Sequence, residues 1–203
     1  MTTIEATNVT SPNAAQSGTL KETETPMQML AQWTKGIKTP ELNRLDILID
    51  AADMLACVKV LTDAHWGYLI AITALDPHGK PATYAQDVRW KALLEAGKAQ
   101  VNAAPIEVLY FFANGPQVVT LRILLPRDGA TLPSICDIVS YASWYERELS
   151  EMFGLTMIKA AVTSAIEPDH LFLPDNWPDQ VYPLRKDFKI EQIDSTKEAD
   201  IHA

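Results

Sequence analysis

The sequence predicts an α+β domain: a small mixed or antiparallel sheet packed with helices, followed by an extended, proline-rich C-terminal arm. Three observations carry this. Two β-rich runs, Ile106 to Phe112 and Val118 to Leu125, flank Ala113-Asn114-Gly115-Pro116, a hairpin-like turn. Apolar residues recur at helical spacing on both sides of that pair. After Ala165 the period stops and prolines follow at 168, 174, 178 and 183.

Residues 1–24 are small and polar and read as a disordered leader. Thr25-Pro26 starts a helix, with Thr25 as cap and Pro26 at its first position; it is expected to reach Lys35 and stop at Gly36. Pro40 ends the connection. Arg44 to Asp50 reads as a strand, and Asp50 is placed to cap a helix over 51–64, where Leu55, Val58 and Leu61 share a face. Tyr68 to Leu75 is a strand that ends at the turn Asp76-Pro77-His78-Gly79. Residues 84–100, with Trp90, Leu93 and Leu94, read as a helix. After a loop from Pro126 to Thr131, Leu132-Pro133-Ser134 is expected to open a long helix to Phe153, stopped by Gly154. The α+β domain thus spans 25–165. Residues 166–203 form the arm and, from 189, a charged tail.

Composition excludes several functions. A chain of 203 residues with net charge −9 lacks the clustered Lys and Arg that phosphate binding needs, so nucleic acid is not expected as a partner. Cys57 and Cys136 are the only cysteines and form no Cys-x-x-Cys pair. An iron–sulfur or zinc site made by this chain alone is therefore not expected, and both thiols read as free and buried. Residues 1–20 lack the apolar run of a secretory signal, and no stretch approaches the roughly eighteen apolar residues of a membrane span. His65, His78, His170 and His202 are scattered, and Asp169-His170 sits in a loop without a nucleophile. Nucleotide-binding and hydrolase motifs do not occur. No catalytic, cofactor-binding or metal-ligating residue is expected.

The helix ending at Phe153 is the most informative segment. On a wheel, Ile135, Ile138, Val139, Ala142, Tyr145, Leu149 and Phe153 form one broad apolar stripe. Glu146 falls inside it. Either its stem lies half-buried at the stripe's edge, or it is a structural buried carboxylate held by a cation or by N–H donors, with Arg185 as candidate partner. Ser140, Trp144, Arg147 and Glu151 fall on the opposite face. Trp144 is expected to be covered by the arm or by a partner, and Glu151 to behave as a surface charge or an interface contact. Glu146, Glu148 and Glu151 point in different directions, so they do not converge as a carboxylate active site. The arm reads as a stiffened docking element that covers its own domain and then reaches a neighbour. Trp177, Tyr182 and Phe188 supply its apolar anchors, and Arg185 and Lys186 its charge.

The run Tyr145-Glu146-Arg147-Glu148 followed by Met152-Phe153-Gly154, then Pro183-Leu184-Arg185-Lys186-Asp187-Phe188, resembles the signature of the 30 kDa subunit family of respiratory complex I and its hydrogenase relatives. Glu151 stands where the family pattern has Asp. Lys159 to Pro168 replaces the family's G-H-P-D-L-R-R run. Leu173-Pro174-Asp175-Asn176-Trp177-Pro178 is similar to the membrane-bound, energy-converting NiFe hydrogenase branch, of formate hydrogenlyase type. The resemblance implies a non-catalytic structural subunit on the cytoplasmic side of the membrane, peripheral and attached only through partners. Those partners would be a large catalytic subunit (the 49 kDa subunit or its hydrogenase equivalent) and a small iron–sulfur subunit. Iron–sulfur clusters and a NiFe centre would belong to them and not to this chain. A subunit of NADH:quinone oxidoreductase proper is the alternative; a free-standing small enzyme and a soluble adaptor are further ones.

Overall fold

The computed structural model describes residues 25–77, 104–158 and 170–193. The leader, the helix expected over 84–100 and the segment 159–169 lie outside the described residues. Thr25 caps α1 (Pro26–Met29) through a reciprocal capping box with Gln28. The helix does not run on to Lys35. One turn of α-helix passes into a 3-10 turn over Ala31–Trp33, and Gly36–Lys38 then forms β1. β1 pairs antiparallel with β2 (Arg44–Leu48), which uses backbone groups that a longer helix would have satisfied internally. A 3-10 turn over Ala51–Asp53 leads into α2 (Met54–Asp63); Asp50 precedes that turn without making a side-chain cap.

β3 (Tyr68–Leu75), β4 (Ile106–Asn114) and β5 (Gln117–Leu125) complete a five-stranded mixed sheet in the order β1-β2-β5-β4-β3. Only β2 and β5 run parallel in it. The β4–β5 hairpin keeps register from Ile106 opposite Leu125 to Asn114 opposite Gln117. β3 carries an irregularity between Leu69 and Ala71. The extra residue lets Leu69 and Ile72 both face the core and pushes Ile70 outward. Gly67, just before β3, has φ 74°, and a Cβ there would overlap the Ala113 carbonyl.

The core lies on one face of the sheet. Val108, Tyr110 and Phe112 of β4 and Leu121 and Ile123 of β5 meet Met54, Cys57, Val58 and Leu61 of α2 in one apolar cluster. Leu149 and Phe153, from the helix described next, join the same cluster. On the opposite face Arg122 bridges Glu107 (2.6 Å) and Asp46 (3.1 Å) across three strands.

The long helix expected from Leu132 is shorter. Thr131–Pro133 forms β6, a chain of turns follows, and α3 runs Ala142–Phe153. β6 pairs in parallel with β7 (Thr156–Ile158), just beyond α3. The chain must travel back along α3 for these strands to run parallel, so residues 134–141 serve as the crossover into the helix. Gly154, at φ 70°, ends α3 with two hydrogen bonds: its own N–H to the Ser150 carbonyl, and that of Leu155 to Leu149.

Candidate functional site

Glu146 lies on the core face of α3 and is wholly buried. Its partner is not Arg185. Glu146 Oε1 accepts from the Ile135 N–H at 2.7 Å. Oε2 accepts from Ser134 Oγ at 2.7 Å and from Cys136 Sγ at 3.2 Å. The carboxylate therefore secures the crossover 134–136 to the helix. The wheel placed Glu146 inward correctly, but its backbone donor comes from the crossover, eleven residues upstream of it, and not from the arm.

Glu151 differs from expectation too. It is only 5 % exposed. Its Oε1 accepts from the Leu171 N–H, and its Oε2 accepts from the N–H groups of Phe172 and Leu173 at 2.8 and 3.0 Å. Three successive backbone donors thus converge on one carboxylate, an arrangement suited to a negative charge. Trp144, two helical turns upstream on the same side, remains 59 % exposed. The arm lies over the second half of that face only.

The segment Pro183–Phe188 works as a latch. Arg185 Nε donates to the Phe153 carbonyl at the end of α3 (2.8 Å), Nη2 donates to the Arg127 carbonyl (3.0 Å), and Nη1 to Asp128 (3.2 Å). Its guanidinium also lies 4.4 Å from the centre of the Tyr182 ring. That ring packs on Gly154, where a Cβ would overlap it, so this glycine is required for its φ and for its bareness. The Lys186 N–H donates to Asp76 Oδ2 at 2.8 Å, while its side chain is exposed. Asp187 accepts from Arg127 Nη2 at 2.6 Å. Trp177 stacks on Phe188 with centroids 6.3 Å apart and donates to the Val181 carbonyl.

Arg127 and Asp76 form the inner half of the latch. They pair at 2.6 Å with side chains 6 % and 0 % exposed. Burial opposes the charge, yet the hydrogen bonds and charges of Asp76 and Asp187 hold the Arg127 pKa above its ordinary value. Neither Asp76 nor Arg127 was singled out from sequence. Both sit in connections, and nothing local marks a turn aspartate or a loop arginine as buried. The charged character of the arm's Arg185-Lys186-Asp187 was the available signal that counter-charges had to exist elsewhere.

One face is left outward. Tyr68 (64 % exposed), Ile70, Tyr141 (48 %) and Trp144 adjoin where the start of α3 meets β3. Tyr141 Oη donates to the Leu69 carbonyl (2.9 Å) and Tyr145 Oη to that of Ile70 (3.1 Å). These bonds seat α3 on the outer strand and present the ring faces. Burial, then the nearby Tyr145, raise the Tyr141 pKa against its bond to Leu69. Arg147 is half-buried one residue beyond Glu146. Among the described residues, no three His, Cys, Asp or Glu side chains gather to hold a metal ion, and no helix is long and apolar enough to cross a membrane.

The chain is similar to several known proteins. Formate hydrogenlyase subunit 5 of Escherichia coli is 39 % identical over 71 residues, 34 % of this chain and 11 % of that protein. The membrane-bound hydrogenase subunit beta of Pyrococcus furiosus is 36 % identical over 40 % of this chain and 45 % of its own. These alignments thus span under half of each relative. A longer one reaches the NAD(P)H-quinone oxidoreductase subunit J of the Paulinella chromatophora chromatophore, 37 % identical over 78 % of this chain and 81 % of the relative. The fold matches a chain of the archaeal membrane-bound sulfane sulfur reductase at TM-score 0.55 and 20 % identity, over 85 % of this chain and 88 % of that one. The family model for the 30 kDa subunit of respiratory-chain NADH dehydrogenase matches residues 47–194. The chain belongs to that family.

Proposed function

We propose that this chain is a non-catalytic structural subunit of a complex I-like membrane-bound oxidoreductase of the energy-converting NiFe hydrogenase kind. It packs on the large catalytic subunit, beside a small iron–sulfur subunit, on the cytoplasmic side of the membrane. Iron–sulfur clusters and the NiFe centre belong to those partners. The single observation that supports this best is how the motif residues are used. Glu146, Glu151, Arg185 and Asp187 are engaged in bonds within the chain, while Tyr68, Ile70, Tyr141 and Trp144 are left outward together. Aromatic residues outward on a rigid helix–strand junction suit a protein interface better than a reaction. Trp144 and the exposed side chain of Lys186 are the part of the expected interface set left most open to a neighbour. Glu151, Trp177, Tyr182, Arg185 and Phe188 support it by fixing the arm.

A second reading, a subunit of NADH:quinone oxidoreductase proper, is favoured by the long alignment with the chromatophore subunit J. Affinity purification of the full chain from its native membrane, followed by mass spectrometry, separates the two. A co-purifying large subunit with two Cys-x-x-Cys nickel-binding motifs supports the hydrogenase reading. A large subunit without them supports the quinone reductase. Recovery of no redox subunit overturns both.

A further inference from the structure

The run Glu146-Arg147-Glu148 is used unevenly. Glu146 anchors the crossover, and Arg147 is engaged with another group. Glu148 is half-buried and makes no hydrogen bond or ion pair among the described residues. Partial burial thins the hydration of its carboxylate and brings no bond within the chain in return. Its place on α3 is specific. Glu148 lies one helical turn after Trp144, so the two side chains are neighbours on the helix surface. At 100° per residue its direction falls between those of Tyr141 and Trp144, both exposed. Tyr141 is fixed by its bond to the Leu69 carbonyl, beside Tyr68. A lone carboxylate therefore sits within the outward aromatic face, at a set spacing from the indole.

On the reading of this face as the docking surface, we propose that Trp144 and Glu148 together receive one arginine side chain of the large catalytic subunit. An exposed indole face attracts a cation, and a carboxylate beside it binds the same one. Arginine meets both at once. Its planar guanidinium stacks on the ring while its N–H edge donates to the carboxylate. A lysine ammonium is a compact, strongly hydrated charge without a flat face to stack. A purely apolar partner would strip the remaining water from Glu148 and leave the charge uncompensated. The two glutamates of the run thus divide their work: Glu146 acts inward on this chain, and Glu148 acts outward on its neighbour.

The test expresses the full chain with its native partners, purifies it through a tag on this chain, and quantifies the large subunit by mass spectrometry. Glu148→Gln keeps the side chain's shape and removes its charge. Trp144→Leu keeps apolar bulk and removes the ring face. Each should lower recovery of the large subunit about tenfold at the parent's urea midpoint. Both act on one guanidinium, so the double variant should fall no more than about threefold below either single one, far short of the about hundredfold that independent contacts would give. Parental recovery with Glu148→Gln overturns the proposal. A fully multiplicative loss in the double variant does so too, because the two side chains would then meet separate groups. A lowered urea midpoint for Glu148→Gln also overturns it, because the carboxylate would then serve this chain's own fold. Tyr68→Ala/Trp144→Ala, run alongside, separates two failures. If it loses the large subunit while Glu148→Gln keeps it, the arginine is wrong and the docking face stands; if both keep it, the docking face is wrong as well.

Discussion

Replacing Glu146 with alanine isolates what its carboxylate does. The change leaves the Ile135 N–H, the Ser134 hydroxyl and the Cys136 thiol without their acceptor, in an interior where Ile135 itself is wholly buried. A hydrogen bond to a charged group is worth about 1.5–3 kcal/mol, and an orphaned buried donor costs about 1–3 kcal/mol. The serine hydroxyl can rotate toward another acceptor and the thiol is a weak donor, so the N–H dominates. Together the loss should be about 3–5 kcal/mol, the range for breaking one side of a buried charged network. At a urea slope of about 2 kcal/mol per molar, a loss near 4 kcal/mol lowers the midpoint by about 2 M. Glu146→Gln keeps an acceptor for Ile135 and should lose about 1–2 kcal/mol. Glu148→Ala, at a half-buried neighbour, should lose less than about 1 kcal/mol. The assay is equilibrium urea unfolding of the full chain followed by fluorescence. Equal midpoints for Glu146→Ala and Glu148→Ala would refute the strut.

Three further outcomes follow from the same contacts. Glu151→Ala removes the acceptor of three arm N–H groups, so limited proteolysis within 170–193 should become faster while the core cluster stays protected; an unchanged cleavage pattern would show that the arm is held without it. Arg127→Met takes the cation from the fully buried Asp76 side chain, leaving it the Lys186 N–H, and should cost about 3–5 kcal/mol in urea, whereas Asp187→Asn at the exposed end should cost less than about 1 kcal/mol. Burial, then the charge of Asp53, push the Cys57 thiol from 9.0 up to about 12. A raised folded-state pKa means that its stabilisation is complete below pH 9 and is lost as pH rises toward 12. Unfolding midpoints of the parent should therefore fall across that window more steeply than those of Cys57→Val.

The elements with a strong local signature were legible in the sequence. β3, β4 and β5 are long, β-rich runs bounded by turn residues, and α2 keeps an apolar face for ten residues. β1, β6 and β7 were not, because three-residue strands are set by their pairing partners and not by their own composition. Ile135, Ile138 and Val139 mimic a helix stripe while lying in a crossover, which moved the expected start of α3 ten residues too early. A wheel describes one helix and ignores what lies across from it. It therefore turned Glu146 inward without naming the donors, and it left Glu151 on the surface where the arm in fact covers it. Arg185 was legible as an important cation. Its acceptors are two backbone carbonyls and Asp128, and a carbonyl leaves no trace in a sequence.

The motif region divides into internal struts and one outward aromatic face, and that division can be measured directly. The full chain and its Tyr68→Ala/Trp144→Ala variant are expressed with their native partners, purified through a tag on this chain, and quantified for the large subunit by mass spectrometry. Both side chains are well over half exposed, so the variant should unfold at the parent's urea midpoint. The predicted result is an at least tenfold fall in recovered large subunit at that unchanged midpoint. Full recovery of the large subunit by the variant would contradict the assignment of this face as the docking surface.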